Sequence, residues 1–329
     1  MRIKFGEVRI GETARRNLLH CCETNWASGG PKVKEFETRW GALFNYRDSV
    51  AMSSGTDAGI NACMMLYDFG AKRGDEIIVP ALSFVATTNA VLAAGFTPVF
   101  VDIERQTLNL NPARIAAAIT PKTRAIKVVH TMGKPCDMDP ILAIAKAHKL
   151  MVIEDSCEAH GAKYRGRFIG TDSDAATFSY YVAHLICCGE GGMVSSNNPE
   201  VGEVLRSTRS HGRRGGQLYF DFVRFGLNSK MNDLEASLGL EAIEVFWDTF
   251  NRRKENLYYL LQGCADLAEY AWFNLEEKHE TVCPHAFTIT LKDPRFDFKR
   301  MYAYLEGRGI QCKLNFASLP TQHEAFAWM

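Results

Sequence analysis

Short, uninterrupted runs of apolar residues alternate with helical stretches through the first two-thirds of the chain. The runs lack the apolar–polar alternation of a half-exposed strand, which is typical of strands buried on both faces of a parallel sheet. Helices that alternate with such strands serve as the crossover connections that a parallel sheet requires. The predicted strands cover residues 76–80, 98–103, 125–130, 151–155, 176–180 and 192–195, and the predicted helices lie near 55–67, 83–94, 112–119 and 139–148.

A different pattern begins at Asp233. One long helical segment is predicted from about 233 to 261, followed by a strand at 286–291, a helix near 297–308 and a strand near 310–315. The sequence therefore predicts an α/β fold, with a mostly parallel central sheet flanked by helices in a large domain (1–240). A smaller C-terminal α/β domain (241–329) is joined to it by the long helix. Ligands bind such sheets at the carboxyl ends of the strands, where functional residues are expected.

The charge balance excludes several classes of partner. The chain has 38 basic and 38 acidic residues and a formal net charge of zero. A nucleic-acid-binding surface requires a clustered excess of lysine and arginine, and a membrane-surface anchor requires a polybasic segment. No apolar run approaches the roughly 18 residues of a membrane-spanning helix, and charges occupy the N-terminal positions at which a signal peptide is apolar. We expect a cytoplasmic protein.

The ten cysteines lack the spacing of metal or redox sites. None forms a C-x-x-C or C-x-C pair, which zinc ribbons, redox dithiols and iron–sulfur clusters typically use. The H-E-x-x-H motif of zinc enzymes is also missing, as are the G-x-x-x-x-G-K-[ST] and G-x-G-x-x-G loops of nucleotide-binding folds. We therefore expect no metal and no iron–sulfur cluster, and buried thiols in a reducing compartment.

Four features near the predicted strand ends can bind a ligand. The sequence SSGTDA at 53–58 precedes a helix, and its amides can bind a phosphate or form an ordinary N-cap. Asp155 ends a buried strand, where its carboxylate can face a cationic ligand or cap the next helix. Ser179 ends another strand and can supply a second phosphate contact. The ring of Phe84 can stack on a flat ligand or pack in the core.

Taken together, these segments resemble one family. The chain is similar to the DegT/DnrJ/EryC1/StrS family of pyridoxal-phosphate enzymes, the nucleotide-sugar-modifying branch of the aspartate aminotransferase superfamily. The resemblance is collinear from about residue 5 to residue 314, and it implies a fold type I transferase architecture and a homodimer with shared active sites. It rests on SSGTDA (53–58), IIVPALSFVATTNAV (77–91), PVFVDIE (98–104), VIEDSCEAHGA (152–162), TFSYYVAHLICCGEGGMV (177–194), RSHGR (209–213) and FGLNSKMNDLEASLGLEAI (225–243).

The resemblance assigns cofactor-binding roles to residues that the strand ends already single out. Gly55, Thr56 and Ser179 are implied to hold the phosphate of pyridoxal or pyridoxamine phosphate. Asp155 is implied to pair with the pyridine nitrogen and keep it protonated, so that the ring can accept electrons. Phe84 is implied to stack on the ring.

One departure from the family pattern concerns the catalytic residue. The lysine that binds the cofactor covalently in most members is expected six residues after Phe178, where this chain has His184. An imidazole cannot form that bond, but with an ordinary pKa of about 6.5 it can move protons near neutral pH. Glu158, three residues after Asp155, replaces the glutamine typical of the aminotransferases. Both features resemble the 3-dehydratase subclass and imply a cofactor that is bound without a covalent bond.

The resemblance also implies a substrate and partners. His184 is expected to act as acid and base while the C3 hydroxyl of a nucleotide-activated 4-ketosugar is lost, with L-glutamate restoring the cofactor amine and without an iron–sulfur cluster. Asn228 is implied to reach the phosphate bound by the neighbouring subunit. His211 can lie near the sugar or diphosphate and Arg213 can bind the diphosphate, although exposed arginines are common on any surface.

Two other interpretations fit the same residues. An aminotransferase, native or with its lysine replaced in the laboratory, would make an amino sugar, and a lineage that lost the lysine would be a non-catalytic binding protein. Covalent trapping of the cofactor on another lysine would contradict the role given to His184. Members of the family usually continue beyond the segment at 319–322, so we expect the smaller domain to be incomplete at Met329.

Overall fold

The computed structural model describes residues 3–216, 219–293, 295–316 and 319–329. Twelve strands lie in these ranges. They are β1 (Asp48–Met52), β2 (Glu76–Pro80), β3 (Thr97–Val101), β4 (Thr123–Val129), β5 (Met151–Asp155), β6 (Lys163–Tyr164), β7 (Arg167–Phe168), β8 (Ala175–Ser179), β9 (Gly192–Ser196), β10 (Ala271–Phe273), β11 (Glu280–Thr281) and β12 (Ile289–Leu291).

Ten α-helices lie in the same part of the chain. None of these helices is long and apolar enough to cross a membrane. They are α1 (Glu12–Thr24), α2 (Pro31–Phe44), α3 (Gly55–Met64), α4 (Val85–Ala93), α5 (Pro112–Ala118), α6 (Met138–His148), α7 (Pro199–Thr208), α8 (Asp233–Glu244), α9 (Phe246–Gly263) and α10 (Phe298–Gly307).

Seven strands form the central sheet, in the order β1-β9-β8-β5-β4-β2-β3. The strands β3, β2, β4, β5 and β8 are parallel, whereas β9 is antiparallel to both of its neighbours, β8 and β1. The predicted α/β fold with a mostly parallel sheet is therefore confirmed. Strands β2 and β5 begin and end where the sequence predicts, because both are continuous apolar runs buried within the sheet.

Two predictions for the last third of the chain are wrong in part. The predicted long helix breaks at Val245, whose φ of −101° and ψ of 10° separate α8 from α9. Directly after the break Phe246 enters the core, where its ring centroid lies 5.0 Å from that of Phe44. Residues 310–315 form no strand, and one bridge joins Ile310 to Ile3. The domain boundary at 240 stays a prediction.

An aromatic cluster holds the carboxyl end of β8. The ring of Trp40, on α2, lies 4.9 Å from that of Phe178 and 5.2 Å from that of Tyr180, measured between centroids. Trp40 Nε1 also donates a hydrogen bond of 3.0 Å to Ser195 Oγ on β9. All four side chains are buried. Because Ser179 stands between Phe178 and Tyr180 in the chain, this packing fixes where Ser179 emerges from the sheet.

Candidate active site

The N-terminus of α3 provides two free amides. Ser54 caps the helix, since its Oγ accepts a hydrogen bond of 3.0 Å from the Asp57 amide and its carbonyl accepts one of 2.9 Å from the Ala58 amide. The amides of Gly55 and Thr56 precede these, and within the described ranges they donate to no protein group. A helix start with free amides and a partial positive charge is suited to bind phosphate.

Ser179 lies directly against this helix start. A Cβ added to Gly55 would lie 2.5 Å from Ser179 Cβ and 2.9 Å from Ser179 Oγ, so the approach requires glycine. Gly192 pairs with Ser179 across β8 and β9, and a Cβ there would lie 2.2 Å from the Ser54 carbonyl oxygen. The two amides and the Ser179 hydroxyl can therefore contact one phosphate. We call Gly55, Thr56 and Ser179 the phosphate cradle.

Asp155 ends β5 and accepts two hydrogen bonds on one oxygen. Lys127 Nζ, from β4, lies 2.8 Å from Asp155 Oδ2, and Thr87 Oγ1, from α4, lies 3.0 Å from the same atom. Burial alone would raise the pKa of the Asp155 carboxyl, but Lys127, Cys157 and Thr87 together hold it below its ordinary value. The resulting carboxylate can pair with a protonated ring nitrogen. Lys127 is absent from the sequence predictions, although a lysine inside the apolar run AIKVVH is a visible signal.

Phe84 stands at the N-cap of α4, one residue before the helix rather than within it. Its side chain is 63% exposed, which excludes the core position that the sequence left open. Thr87, three residues later, bonds to Asp155, so the first turn of α4 brings Phe84 and the carboxylate to the same edge of the sheet. An exposed ring in this position can stack on a flat ligand.

His184 lies in a group of three histidines. Its ring centroid lies 5.7 Å from that of His160 and 5.3 Å from that of His285. Its Nδ1 is buried and has no hydrogen-bond partner in the described part of the chain. Burial, and then the proximity of His160, lower the pKa of His184 to about 3. His184 is therefore neutral at pH 7, with a ring nitrogen available to accept a proton.

Glu158 and His285 lie beside this group. Glu158 Oε2 accepts a hydrogen bond of 2.7 Å from the Met132 amide, and Glu158 Oε1 lies 4.0 Å from His285 Nε2. Burial raises the pKa of Glu158 to about 7, while burial followed by the proximity of His184 lowers the pKa of His285 to about 3. Glu158 thus changes its protonation state near neutral pH. His285 belongs to no motif and was not predicted.

Residues 280–285 bring His285 to this group of histidines. Strand β11 pairs with β6, and Glu280 forms a buried ion pair with Lys134. The amide of Cys283 donates a hydrogen bond of 2.9 Å to the carbonyl of Gly133. Gly133 has a φ of +84°, and a Cβ there would lie 2.1 Å from the Cys283 carbonyl oxygen, so the contact requires glycine. This contact sets the position of His285 two residues later.

The three buried histidines should make the protein sensitive to acid. Each has a pKa of about 3 when folded and about 6.5 when unfolded, so the unfolded chain binds more protons between these values. Stability should fall as the pH drops below about 6.5, by about 2 kcal/mol per histidine at pH 5. Glu158, whose pKa is raised when folded, opposes this between about 4.5 and 7.

Urea unfolding measured from pH 7.5 to 4.5 tests this prediction. We expect the free energy of unfolding to fall by a few kcal/mol between pH 7 and pH 5. The variant His184→Asn should have a shallower fall, because one of the three proton-binding differences is removed. An unfolding free energy that stays constant or rises toward pH 5 would contradict the buried, neutral state of the histidines.

Asn228, His211 and Arg213 lie on one hydrogen-bonded segment, which adjoins the start of α3 because the Ser53 amide donates a hydrogen bond of 2.9 Å to the Ser229 carbonyl. Asn228 and His211 are exposed, and the Arg213 guanidinium lies over the Phe220 ring, 4.2 Å from its centroid. Within the described ranges, no hydrogen bond or ion pair joins these three residues to the phosphate cradle, the Asp155 carboxylate or the histidines. Their predicted roles toward a substrate or a neighbouring subunit stay predictions.

The donors at this edge of the sheet fit a phosphorylated pyridine. The cradle offers free amides to a phosphate, the Asp155 carboxylate can bind a ring nitrogen, and Phe84 presents an exposed ring. The buried and unpartnered His184 Nδ1 supplies a proton acceptor. No cluster of three or more histidine, cysteine or acidic side chains suited to a metal ion occurs among the residues that the structure describes.

Comparison with known families agrees with this donor set. Residues 8–328 match the model of the DegT/DnrJ/EryC1/StrS aminotransferase family. The chain belongs to this family. Pyridoxal phosphate, or its pyridoxamine form, is the cofactor of the family, and family members act on sugars.

Relatives within the family carry different names. GDP-perosamine synthase from Caulobacter vibrioides is 39% identical over 244 residues, covering 74% of this chain and 65% of the relative. dTDP-4-dehydro-2,6-dideoxy-D-glucose 3-dehydratase from Saccharopolyspora spinosa is 34% identical over 334 aligned positions, covering 92% and 72%. The solved structure of GDP-4-keto-6-deoxymannose-3-dehydratase (ColD), a mutant with bound GDP-perosamine, has a TM-score of 0.87 and 25% identity, covering 94% and 85%. The chain thus spans about two thirds of the length of the curated relatives that it matches, 65% and 72%.

Replacing Gly192 with alanine should weaken cofactor binding in this family member. The added Cβ would meet the Ser54 carbonyl at 2.2 Å and the Gly55 nitrogen at 2.9 Å, so the phosphate cradle must shift. We expect the affinity for pyridoxal phosphate, measured by fluorescence titration, to fall about 10- to 100-fold. Gly263→Ala is the control, because its Cβ would meet no atom within 4 Å. Equal affinities for the two variants would exclude the cradle as the phosphate site.

Proposed function

We propose that this protein is a nucleotide-sugar 3-dehydratase, which removes the C3 hydroxyl of a 4-keto-6-deoxyhexose. The observation that carries the proposal is His184, a neutral imidazole with a free, buried Nδ1 at the position of the family's covalent lysine. Glu158, three residues after Asp155, supports the proposal, as do the relatives named as 3-dehydratases. Without a lysine at position 184 the cofactor is bound without a covalent bond to this residue.

The chain's own residues divide the work of binding and proton transfer. The phosphate cradle binds the cofactor phosphate, Asp155 accepts a hydrogen bond from the ring nitrogen, and Phe84 covers the ring. Bound pyridoxamine phosphate supplies the amine that reacts with the 4-keto group and a ring that accepts electrons. His184 accepts a proton at Nδ1 and returns it to the departing C3 hydroxyl, which leaves as water. The buried group of histidines excludes solvent around this transfer.

L-glutamate supplies the nitrogen and the two electrons that each turnover of this reaction consumes. Loss of the C3 hydroxyl reduces that carbon by two electrons, which a bound pyridoxamine phosphate would supply. Hydrolysis releases the nitrogen as ammonia together with a 3-deoxy-4-ketosugar. L-glutamate then restores the amine and becomes 2-oxoglutarate, so no iron–sulfur cluster is needed. The zero net charge of the chain is consistent with a small-molecule substrate rather than nucleic acid.

A second copy of the chain is the proposed partner. The segment 219–225 exposes several large apolar side chains, which in a monomer would face water. Asn228, just beyond this segment, is exposed as well, which supports a role toward the phosphate of a neighbouring subunit. His211 and Arg213 lie just before this segment, Arg213 pairs with Phe222 within it, and both are proposed to contact the sugar or diphosphate. The exposed residues of the segment are Tyr219, Phe220, Phe222, Val223 and Phe225.

An aminotransferase is the alternative function, and one observation favours it. The relative named GDP-perosamine synthase is 39% identical, a higher identity than the named 3-dehydratases have. An aminotransferase would keep the C3 hydroxyl and transfer nitrogen to C4, leaving an amino sugar. A binding protein would consume neither sugar nor glutamate.

Product analysis separates the three functions. The chain is incubated with pyridoxamine phosphate, L-glutamate and a panel of GDP-, dTDP- and CDP-linked 4-keto-6-deoxyhexoses, and the sugars are analysed by mass spectrometry. The dehydratase gives a sugar without its C3 hydroxyl, with ammonia and 2-oxoglutarate in equal amounts. An added amine with the hydroxyl retained and no ammonia would establish the aminotransferase instead. Unchanged sugars and glutamate throughout the panel would refute both enzymatic functions.

A further inference from the structure

A buried lysine lies behind the proposed cofactor carboxylate. The side chain of Lys127 is 1% exposed and extends from β4 to Asp155 on the neighbouring strand β5. Lysine is almost never fully buried without a partner, because removal of its charge from water costs several kcal/mol. Its partner is the Asp155 oxygen that also accepts the Thr87 hydrogen bond. Neither the Lys127 amine nor the Thr87 hydroxyl donates a hydrogen bond to the second carboxylate oxygen, Oδ1.

The surrounding helices keep the Lys127 amine in this position. A Cβ on Gly59, in α3, would lie 3.0 Å from Ala90 Cβ, in α4, and 3.8 Å from Lys127 Nζ. The glycine therefore allows α3 and α4 to pack closely above the amine. The amine is confined between two helices, and the carboxylate is the charged group within its reach.

The other titratable groups near the pair do not replace either partner. Burial raises the pKa of the Cys63 and Cys157 thiols, which are therefore neutral at pH 7. His184 is neutral as well, and Glu158 has a pKa of about 7. Burial lowers the pKa of the Lys127 amine, but the opposing interactions, led by that with Asp155, together hold the pKa above its ordinary value, so the amine stays charged. One cation and one anion thus face each other in the closed interior.

We propose that Lys127 is a positioning residue that keeps Asp155 ionised and weakens its hold on the proton of the cofactor's ring nitrogen. The inference rests on the proposed pairing of Asp155 with that nitrogen. A carboxylate that already has a cation on Oδ2 attracts a second cation less strongly. At an effective dielectric constant of about 20, a charge a few ångströms away shifts a pKa by about one to three units. Lys127 therefore lowers the pKa of the ring nitrogen and reduces how strongly the ring withdraws electrons.

The experiment measures the ring nitrogen directly and does not require turnover. Pyridoxal phosphate labelled with nitrogen-15 in the ring is bound to the full chain, and its nitrogen chemical shift is titrated with pH. In Lys127→Met, and in Lys127→Gln, which keeps a donor to Asp155 and guards against misfolding, we expect the nitrogen pKa to rise by about one to three units. Thr87→Val is the matched control, because it removes an uncharged donor from the same Asp155 oxygen.

The outcomes are distinct. A rise in both lysine variants that clearly exceeds the change in Thr87→Val supports the inference, whatever reaction the enzyme catalyses. Identical titrations in the wild-type chain and the lysine variants would overturn it. Borohydride reduction followed by peptide mass analysis that finds the cofactor attached to Lys127 would also overturn it, since the amine would then be a covalent partner rather than a counter-ion.

Discussion

His184→Asn should lower the rate of C3 hydroxyl loss by about 10²- to 10⁴-fold, the usual contribution of a positioned acid and base. Asparagine keeps a polar group near the position of Nδ1 but cannot accept and return a proton at neutral pH. Single-turnover mass analysis of the sugar, with the enzyme and pyridoxamine phosphate in excess over the sugar, measures the effect. His148→Asn, at the exposed end of α6, is the control and should react at the wild-type rate.

The companion variant His184→Lys tests the same residue by introducing the lysine that most family members have at this position. A lysine here should allow borohydride to attach the cofactor covalently to the chain, whereas the wild-type chain should release it on denaturation. A rate for His184→Asn within about threefold of wild type would show that His184 is not the catalytic acid and base. Covalent attachment in the wild-type chain would remove the argument for a non-covalent cofactor.

Asp155→Asn should be the most destabilising change in the site. It leaves the Lys127 charge buried without a counter-ion, and removal of one partner of such a pair typically costs about 3 to 5 kcal/mol. Urea unfolding of the chain without cofactor measures this loss of stability. The affinity for pyridoxal phosphate should fall in the same variant, because the ring nitrogen loses its carboxylate.

The double variant Lys127→Met with Asp155→Asn separates these two effects. Removal of both charges should restore most of the unfolding free energy, while the affinity for the cofactor stays low. Recovery of both properties would indicate that Asp155 serves the fold alone. No recovery of stability would indicate that the buried pair is not the source of the loss.

The parts of the fold that the sequence predicts best are those set by local pattern. Strands β2 and β5 are continuous apolar runs, so burial alone specifies them. The antiparallel direction of β9 depends on its pairing with β1 and β8, which apolar periodicity does not encode. The helix break at Val245 likewise serves the distant contact between Phe246 and Phe44. Long-range contacts decide where local propensity is overridden.

In the site, too, features set by the local sequence are predicted better than features set by distant contacts. Asp155, Ser179 and the start of α3 stand at strand and helix ends, where both periodicity and family resemblance point to them. The low pKa of His184 is different, because it results from burial against His160 and His285, which arrive from other parts of the chain. A residue's identity is readable from sequence, but its proton affinity depends on neighbours that only the folded chain brings together.

The contact between Gly133 and Cys283 has a consequence for the order in which the site is completed during synthesis. Every residue of the phosphate cradle leaves the ribosome before the segment that delivers His285, and domains generally fold from their N-terminal side as they emerge. Until that segment reaches Gly133, one wall around His184 is missing and its ring is open to water. We therefore expect the phosphate cradle to form before the buried surroundings of His184 are complete.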